Sequence, residues 1–350
     1  MSEDIASPKT SSSKAKKQKP SALEVAGPEI LAEIISLPEL EHDSHRSVTL
    51  PPPRSPFAVD KSDVHLKRRR QKDKVATVLV CASFALAMVP LLSLMITVIS
   101  RGINRFDVTF FTNSMRNVVG EGGGALHALV GTLEITGLAA VISVPIGLMT
   151  AIYLVEYGRG RLAKAVTFFV DVMTGIPSIV AGLFAYSLFL LVFGPGSQNG
   201  VAGAVALSVL MIPVVVRSCE EMLRLVPNEL REASLALGVP RWRTITKVVL
   251  PTSIAGITTG VMLAIARVIG ETAPLLVTVG LTQSMNYSLT DGPMMTLPVF
   301  VYNSYMSQGV DAAAYVDRAW TGALTLILIV MALNLVARLI AAKFAPKGNR

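Results

Sequence analysis

Long apolar stretches dominate the sequence from residue 75 onward. The first is the run VATVLVCASFALAMVPLLSLMITVIS at residues 75–100, and later ones cover roughly residues 125–155, 163–193, 200–218, 253–280 and 319–342. At a rise of about 1.5 Å per residue, each stretch is long enough to cross the roughly 30 Å hydrocarbon core of a bilayer as a helix. The pattern therefore predicts an all-α integral membrane protein with about six transmembrane helices.

The composition agrees with lipid as the solvent. Hydrophobic residues make up 51% of the chain, charged residues only 16%, and the mean hydropathy is +0.55. The net charge of +8 would suggest a nucleic-acid partner if the protein were soluble. Here the basic residues mostly adjoin the apolar runs, as they do on the cytoplasmic side of membrane proteins. We therefore expect a lipid bilayer, and no nucleic acid, as the partner.

The distribution of the basic residues predicts an orientation. If both termini are cytoplasmic, most lysines and arginines near the runs fall inside, namely Arg159, Arg161, Lys164, Arg224, Arg231, Arg241, Arg243, Lys247, Lys343, Lys347 and Arg350. The loops on the opposite side then hold a smaller set, Arg101, Arg105, Arg116 and Arg318. This asymmetry favours cytoplasmic N- and C-termini.

Residues 1–74 differ from the rest of the chain, which forms a transmembrane domain at residues 75–345. They are rich in Ser, Pro, Lys and Glu, a composition that buries too little apolar surface to fold, so we expect a disordered cytoplasmic tail. Within it, Leu23–Leu40 has enough Leu and Ile to form a short amphipathic helix, which could dock to a partner or to the membrane surface. The alternative is a transient helix without function. The basic cluster Lys67–Lys74 is interpreted as a topology anchor, with a nucleic-acid patch as the alternative.

A polar segment at residues 219–252 interrupts the apolar pattern and is predicted to be a cytoplasmic loop. It reads as two short helices: Asn228 can cap the first, Gly238 can end it in the left-handed conformation, and Pro240 can open the second. We call this pair of helices, residues 228–251, the elbow. One side of the elbow carries small or apolar residues, Ala233, Ala236 and Leu237. The charged residues around that side are Glu229, Arg231, Glu232, Arg241 and Arg243. The segment predicts a docking surface for another protein.

The elbow resembles the coupling motif of ABC importer permeases. Glu232-Ala233-Ser234, then Gly238, then Val248-Val249-Leu250-Pro251 follow the pattern E-A-A, three residues, G, nine residues, I-x-L-P. Serine replaces the second alanine, and Val248 replaces isoleucine. The resemblance implies that the elbow docks to a separate ATPase and transmits nucleotide-driven motion, through the coupling residues Glu232, Ala233, Gly238, Leu250 and Pro251.

Over roughly residues 70–342 the chain resembles the PstA-type permeases of bacterial phosphate ABC importers. The similar segments are GGGALHALVGTLEIT, PIGLMTAIYLVEY, GIPSIVAGLFAY and RVIGETAPLL. The resemblance implies a type I importer permease in the bacterial inner membrane that forms half of a phosphate pathway. It implies as partners a second, PstC-type permease, a PstB-type ATPase dimer and an extracytoplasmic PstS-type phosphate-binding protein.

The chain is not expected to be an enzyme or to bind a cofactor. It contains no G-x-x-x-x-G-K-[ST] phosphate loop, so ATP and Mg²⁺ would be used by the partner ATPase. The histidines His42 and His45 lack a firm third metal ligand, and the loop Gly120–Gly124 follows no strand and is interpreted as a flexible entry to the second span. The cysteines Cys81 and Cys219 are interpreted as small apolar core residues.

Charged residues within the apolar runs are candidates for an anion pathway, because a charge in the membrane is costly unless it is functional or paired. Arg267 is predicted to lie deep in the fifth span, with Glu271 one turn later on the same face. Arg217 is predicted at the end of the fourth span, where Glu220 and Glu221 could compete with an anion for it. The alternatives are packing ion pairs or, for Arg217, a snorkelling topology anchor.

Glu134, in the second span, could pair with one of these arginines or face a polar cavity without a ligand. Two other classes of membrane protein are alternatives. A secondary transporter would need internal repeats and a midplane ion site, which the sequence does not indicate. A membrane sensor or scaffold would use the tail to recruit partners, a role that is compatible with transport.

Overall fold

The computed structural model of the protein describes residues 64–344, with side chains described for residues 68–343. Within that range every regular element is helical, which confirms the predicted all-α class. The α-helices are α1 Val64–Gly102, α2 Val108–Thr112, α3 Leu126–Ile152, α4 Gly160–Thr174, α5 Ser178–Phe193, α6 Gly200–Arg224, α7 Asn228–Ala236, α8 Arg241–Thr244, α9 Leu250–Ile269, α10 Ala273–Thr278, α11 Leu297–Met306 and α12 Ala312–Phe344. Two π-helical turns, Tyr153–Tyr157 and Ile245–Val249, follow α3 and precede α9.

Five helical segments in the described range are long and apolar enough to cross a membrane, and a bent pair makes a sixth if it counts as one span. The five are Arg68–Gly102, Leu126–Tyr157, Gly200–Arg224, Arg241–Ile269 and Ala312–Lys343. The number agrees with the predicted six. The integral membrane character follows from length and hydropathy, since each segment matches the thickness of the hydrocarbon core.

The predicted span at residues 163–193 is not one helix. It is the bent pair, in which α4 and α5 meet at 106°. The break falls at Gly175-Ile176-Pro177, where Pro177 lacks an N–H and disfavours helical geometry at the residue before it. The predicted span therefore has the expected extent but consists of two helices bent at this break.

The predicted span at residues 253–280 is displaced toward the N-terminus. The continuous helical segment runs from Arg241 to Ile269, and the chain breaks at Gly270 before the short helix α10. The second elbow helix, α8, is therefore continuous with the helical segment that contains α9. Inside it, the Leu250 N–H donates to the Ile245 carbonyl five residues earlier, next to Pro251, which cannot donate at all.

Helix α1 begins at Val64, so residues 64–74 of the predicted tail, including the Lys67–Lys74 cluster, are helical. Residues 1–63, with the predicted amphipathic helix Leu23–Leu40, lie outside the described residues. Most apolar side chains of α1 are exposed, including that of Cys81, which is therefore not the core residue that was predicted. Among the described residues, α1 packs closely at its end, where Gly102 meets Leu324 of α12. The exposed apolar surface of α1 is suited to contact with lipid or another protein.

Helices α3 and α6 form the centre of the core and pack together more extensively than any other pair of described elements. Ile135 and Ala139 of α3 and Leu207 and Met211 of α6 are fully buried in it. Small residues bring the backbones close, as where the Ser208 hydroxyl donates to the Ala139 carbonyl at 3.5 Å. Around this pair, α9 packs on α6 and α12, and α5 packs on α6 and α10.

Two glycines of α3 allow a test of this close packing. A Cβ on Gly131 would lie 2.2 Å from the Met295 carbonyl oxygen, whereas a Cβ on Gly137 would have nothing within 4 Å. Gly131→Ala is therefore expected to destabilise the protein by about 2 kcal/mol, because a backbone atom cannot move aside cheaply. Gly137→Ala is expected to be neutral or up to about 1 kcal/mol stabilising, because alanine is the better helix former. Thermal unfolding in detergent measures both, and equal midpoints would contradict the packing described.

Candidate functional site

The two helices of the elbow meet at a turn centred on Gly238. This glycine has a φ of +77°, a left-handed conformation that other residues rarely adopt. Its N–H donates to the Leu235 carbonyl at 2.9 Å, and the Val239 N–H donates to the Ser234 carbonyl at 3.2 Å. This pair of bonds is a Schellman motif, which satisfies the last carbonyls of α7. The predicted left-handed end of the first elbow helix is confirmed.

The start of each elbow helix differs slightly from the prediction. Asn228 is the first residue of α7 and not its cap, which is Pro227. The Asn228 side-chain oxygen instead accepts a hydrogen bond from Arg231 at 3.1 Å. Pro240 immediately precedes α8 as its cap residue, one position earlier than predicted. Both shifts leave the two-helix elbow intact.

The surface of the elbow is open in this chain. Glu232, Ala233 and Gly238 are exposed, and so is the large side chain of Leu237. Ser234, which departs from the coupling motif, is buried and shares a 2.9 Å hydrogen bond with the Thr244 hydroxyl. The serine therefore ties the two elbow helices together, while the residues beside it remain free to contact another protein.

Arg231 does not belong to this open surface, although the sequence suggested it as a docking charge. Its side chain is 15% exposed and forms an ion pair at 3.0 Å with Glu156, which is 13% exposed. It also donates to the main-chain carbonyls of Leu223 at 2.8 Å and Val226 at 2.6 Å. The guanidinium thus faces the body of the protein and not a docking partner.

Arg217 lies near the end of α6 in a network of charged side chains. It forms ion pairs with Asp171 of α4 and, at 2.8 Å, with Glu220. Glu220 is nearly buried and also pairs with Arg224 at 2.6 Å. We call these four residues the α6 charge cluster. A cavity of about 410 Å³ adjoins the cluster and is lined by three of its members, Asp171, Glu220 and Arg224, and by Lys164.

The cluster partly corrects the prediction for Arg217. Glu220 is its partner, but Glu221 is exposed, and no ion pair among the described residues includes Glu221. The second carboxylate is Asp171, which the sequence pattern did not single out. Asp171 is a lone carboxylate in the apolar run VTFFVDVM, and an acidic residue inside a predicted span is itself a signal of function.

Arg267 lies in the last turn of α9 and is exposed. Because the helix ends at Ile269, Glu271 is not one turn further along the same face, and no ion pair in the described chain joins the two. The Glu271 N–H donates to the Val268 carbonyl at 3.1 Å. Arg267 is thus a cation without a carboxylate partner in residues 64–344.

A cavity of about 550 Å³ is lined by residues that include Thr272, which directly follows Glu271 in the sequence. Its lining combines polar and apolar side chains, Thr272, Ala273, Leu276, Pro298, Val301, Tyr302, Tyr305 and Met306. Tyr302 and Tyr305 are exposed, and phenolic hydroxyls can donate to an oxyanion. The segment GETAPLL therefore follows Arg267 in the sequence and supplies Thr272, Ala273 and Leu276 to the lining of a cavity with hydroxyl donors.

Glu134 lies within α3, as predicted, but it pairs with no arginine in the described part of the chain. Its Oε2 atom is buried and has no hydrogen-bond partner there. Of the two alternatives, the arginine pair is not found.

Arg318 was predicted in a loop but is fully buried in α12. It donates from one nitrogen, at 2.9 Å, to the carbonyls of Gly120 and Gly122, and it stacks on Tyr315 at 4.3 Å. Arg105 donates to the same loop, to the Gly122 carbonyl at 3.3 Å. The loop 120–124 is therefore bound by two arginines and is not a free entry to the second span.

The loop lies at the start of α3. The elbow contacts the other end of that helix, where Arg231 pairs with Glu156.

Residues 64–344 contain no group of three or more His, Cys, Asp or Glu side chains that could hold a metal ion. His42 and His45 lie outside those residues. Cys219 is free and buried, as predicted for a small core residue.

Comparison with known proteins agrees with the fold. The family described as "binding-protein-dependent transport system inner membrane component" matches residues 143–349. The phosphate transport system permease protein PstA 1 of Mycobacterium tuberculosis H37Rv is 51% identical over 278 residues, which cover 78% of this chain and 88% of the relative. PstA of Mycobacterium leprae is 49% identical, covering 77% and 88%, and PstA of Yersinia pestis is 41% identical, covering 79% and 92%.

Two solved structures share the fold. The MetNI methionine ABC transporter in an inward-facing conformation aligns with a TM-score of 0.50 at 20% identity, covering 64% of this chain and 95% of that one. A bacterial alginate ABC transporter in complex with its alginate pentasaccharide-bound periplasmic protein aligns with a TM-score of 0.58 at 15% identity, covering 81% of this chain and 99% of that one.

The predicted ABC importer permease architecture is confirmed. The relatives are named as permeases, which confirms that the chain is a membrane component and not an enzyme. The chain belongs to the binding-protein-dependent transport system inner membrane components and, among them, to the PstA-type phosphate transport permeases.

Proposed function

We propose that this protein is the permease subunit of an ATP-driven importer of inorganic phosphate and forms half of the translocation pathway. The observation that carries the proposal is the 51% identity, over 78% of this chain, to a phosphate transport system permease. The chemistry of the site supports an anion as the substrate. Arg217 is partly exposed beside a cavity, and Arg267 is exposed without a carboxylate partner in the described chain.

The importer needs other subunits. We place beside this chain a second, PstC-type permease, with a PstB-type ATPase dimer on the elbow and a PstS-type phosphate-binding protein at the opposite end. ATP and Mg²⁺ bind to the ATPase, and this chain holds no cofactor. The elbow and both termini face the cytoplasm of a bacterium, across its inner membrane. The basic residues near the elbow, Arg159, Arg161, Lys164, Arg241 and Arg243, favour this orientation.

Coupling follows from how the elbow is joined to the membrane helices. Helix α7 follows α6 after a short turn, and α8 continues directly into the segment that contains α9. The exposed surface around Glu232 and Ala233 is the docking site for the ATPase. A displacement of the elbow therefore acts on α6 and α9, the helices that carry Arg217 and Arg267, and switches the access of the pathway.

The α6 charge cluster is the inner gate of the pathway. Asp171 and Glu220 hold Arg217 when no anion is present. Phosphate carries between one and two negative charges near neutral pH and competes with these carboxylates for the guanidinium. Asp171 is the partner that it displaces, because Asp171 is 58% exposed and lies on another helix, whereas Glu220 is 6% exposed and also binds Arg224.

Phosphate uptake tests the function directly. A strain that lacks the gene should lose high-affinity uptake of radiolabelled phosphate and recover it when this chain is restored. Sulfate and molybdate uptake should not change. If sulfate or molybdate uptake depends on the chain and phosphate uptake does not, the proposed substrate is wrong.

The docking site is tested by Glu232→Lys. The change reverses an exposed charge without touching a described contact, so the protein should reach the membrane at its normal level while ATPase binding and uptake fall about tenfold. Glu121→Lys is the matched control for ATPase binding, because Glu121 is also exposed but lies in the loop before α3, away from the elbow. Co-purification of the ATPase together with phosphate uptake gives the answer. Normal values for both in Glu232→Lys would place the ATPase elsewhere.

A further inference from the structure

The guanidinium of Arg231 is the most fully bonded charged group in the elbow. Its Nε donates to Glu156 at 3.0 Å, its Nη2 to the Leu223 carbonyl at 2.8 Å, and its Nη1 to the Val226 carbonyl at 2.6 Å. Nη1 also contacts the Asn228 side chain at 3.1 Å. All three nitrogens are therefore engaged. Only arginine offers this fork of donors, since lysine has a single ammonium group.

The acceptors belong to three different parts of the chain. Leu223 lies in the last turn of α6, where carbonyls have no partner within the helix. Val226 follows the end of that helix. Glu156 lies in the π-helical turn that continues α3. One side chain of the elbow thus joins α7 to the ends of the two helices that form the centre of the core.

The other elbow arginines make no such connection. Arg241 and Arg243 are exposed, and neither forms an ion pair within residues 64–344. Arg243 stacks only on its neighbour Trp242, at 5.2 Å. Arg231 and Glu156 are both largely buried, so their ion pair is little weakened by water, and removing one partner leaves the other uncompensated.

We propose that Arg231 is a positioning residue that fastens the elbow to the ends of α3 and α6, so that a displacement of α7 is passed to this pair of helices. The inference rests on the proposed coupling function. Without Arg231, α7 loses its ion pair to Glu156 in the turn that continues α3 and its hydrogen bonds to the Leu223 and Val226 carbonyls at the end of α6. The ATPase can then move the elbow without moving α3, and ATP hydrolysis is uncoupled from transport.

The first test needs no substrate. Hydrogen–deuterium exchange is measured on the complete complex in nanodiscs, with and without ATP and vanadate, which together trap the ATPase with ADP and vanadate bound. In the unaltered complex, ATP should change exchange both in residues 228–240 and in residues 150–158. In Arg231→Met the change in residues 228–240 should remain and the change in residues 150–158 should be lost.

The second test is the ratio of phosphate transported to ATP hydrolysed in proteoliposomes with all subunits. Arg231→Met should lower this ratio about tenfold, a typical size for a coupling between two sites. Arg231→Lys should give an intermediate ratio, because it keeps the charge opposite Glu156 but not the bonds to both carbonyls. Glu156→Gln keeps the carbonyl bonds, should also be intermediate, and serves if Arg231→Met fails to fold.

Arg159→Met is the matched control. Arg159 lines the same small cavity as Arg231 and Glu156 but is exposed and has no ion pair in the described chain, so both readouts should equal those of the unaltered complex. An Arg231→Met complex that keeps the ATP-dependent change in residues 150–158, or a normal ratio of phosphate transported to ATP hydrolysed, would overturn the inference. Either result would leave the proposed docking unaffected. If ATP changes nothing in residues 228–240 of the unaltered complex, the proposed docking fails and the inference fails with it.

Discussion

Replacing Arg267 by alanine is expected to lower phosphate uptake about ten- to hundredfold, because a hydrogen bond to a charged group contributes about 1.5–3 kcal/mol. The amount of protein in the membrane should stay normal. Arg267 is exposed and has no ion pair in the described chain, so its removal leaves no buried carboxylate without a partner. Radiolabelled phosphate uptake, normalised to the level of the protein in the membrane, measures the effect.

Arg338→Ala is the control for Arg267. Arg338 is likewise exposed in a long apolar helix, α12, and has no ion pair among residues 68–343. Its replacement should leave uptake unchanged. Arg267→Lys should keep part of the uptake, because an ammonium group supplies the charge but not the planar fork. Full uptake in Arg267→Ala would remove this residue from the pathway.

The second large effect is expected at the inner gate. Arg217→Ala should reduce uptake about ten- to hundredfold, for the same energetic reason as Arg267→Ala. The protein level should fall little, because Glu220 keeps its 2.6 Å ion pair with Arg224 and Asp171 is already solvated. If Arg217 were only a packing element, its loss would instead lower the protein level in proportion to uptake.

Asp171→Asn tests whether the α6 charge cluster closes the pathway or only binds phosphate. The change removes the carboxylate that holds Arg217 from α4, so phosphate should leak down its gradient in the absence of ATP. Glu221→Gln is the control, because Glu221 is exposed one position from Glu220 and has no ion pair in the described chain. Phosphate efflux from loaded vesicles is the measurement. Efflux equal to that of the unaltered protein would mean that Asp171 does not close the pathway.

The membrane class and the elbow could be predicted because the physics that specifies them is local. A span needs a run of apolar residues that matches the bilayer, and such runs are visible in any window of the sequence. The turn at Gly238 needs a residue that tolerates a positive φ, and a glycine between two helical patterns meets that need. Neither conclusion requires knowledge of which helices are neighbours.

The pairings could not be predicted because they depend on tertiary structure. Pro177 in the run at residues 163–193 is a local signal for a bend, but hydropathy does not give its size of 106°. The spacing of Arg217 and the glutamates within one helix was visible, but Asp171 is 46 positions away and reaches Arg217 only because α4 packs on α6. Likewise, whether Glu271 shares a helical face with Arg267 depends on where α9 ends.

The buried guanidinium of Arg318 bears on the biogenesis of the protein. Its carbonyl acceptors lie 198 and 196 positions earlier in the chain, and burying an arginine without acceptors costs several kcal/mol. Because the chain is synthesised from its N-terminus, the glycine loop is made before the last helix. A C-terminal fragment that starts after residue 124 would have no such acceptors for Arg318. We therefore expect the burial of Arg318 in the last helix to depend on the N-terminal half of the chain.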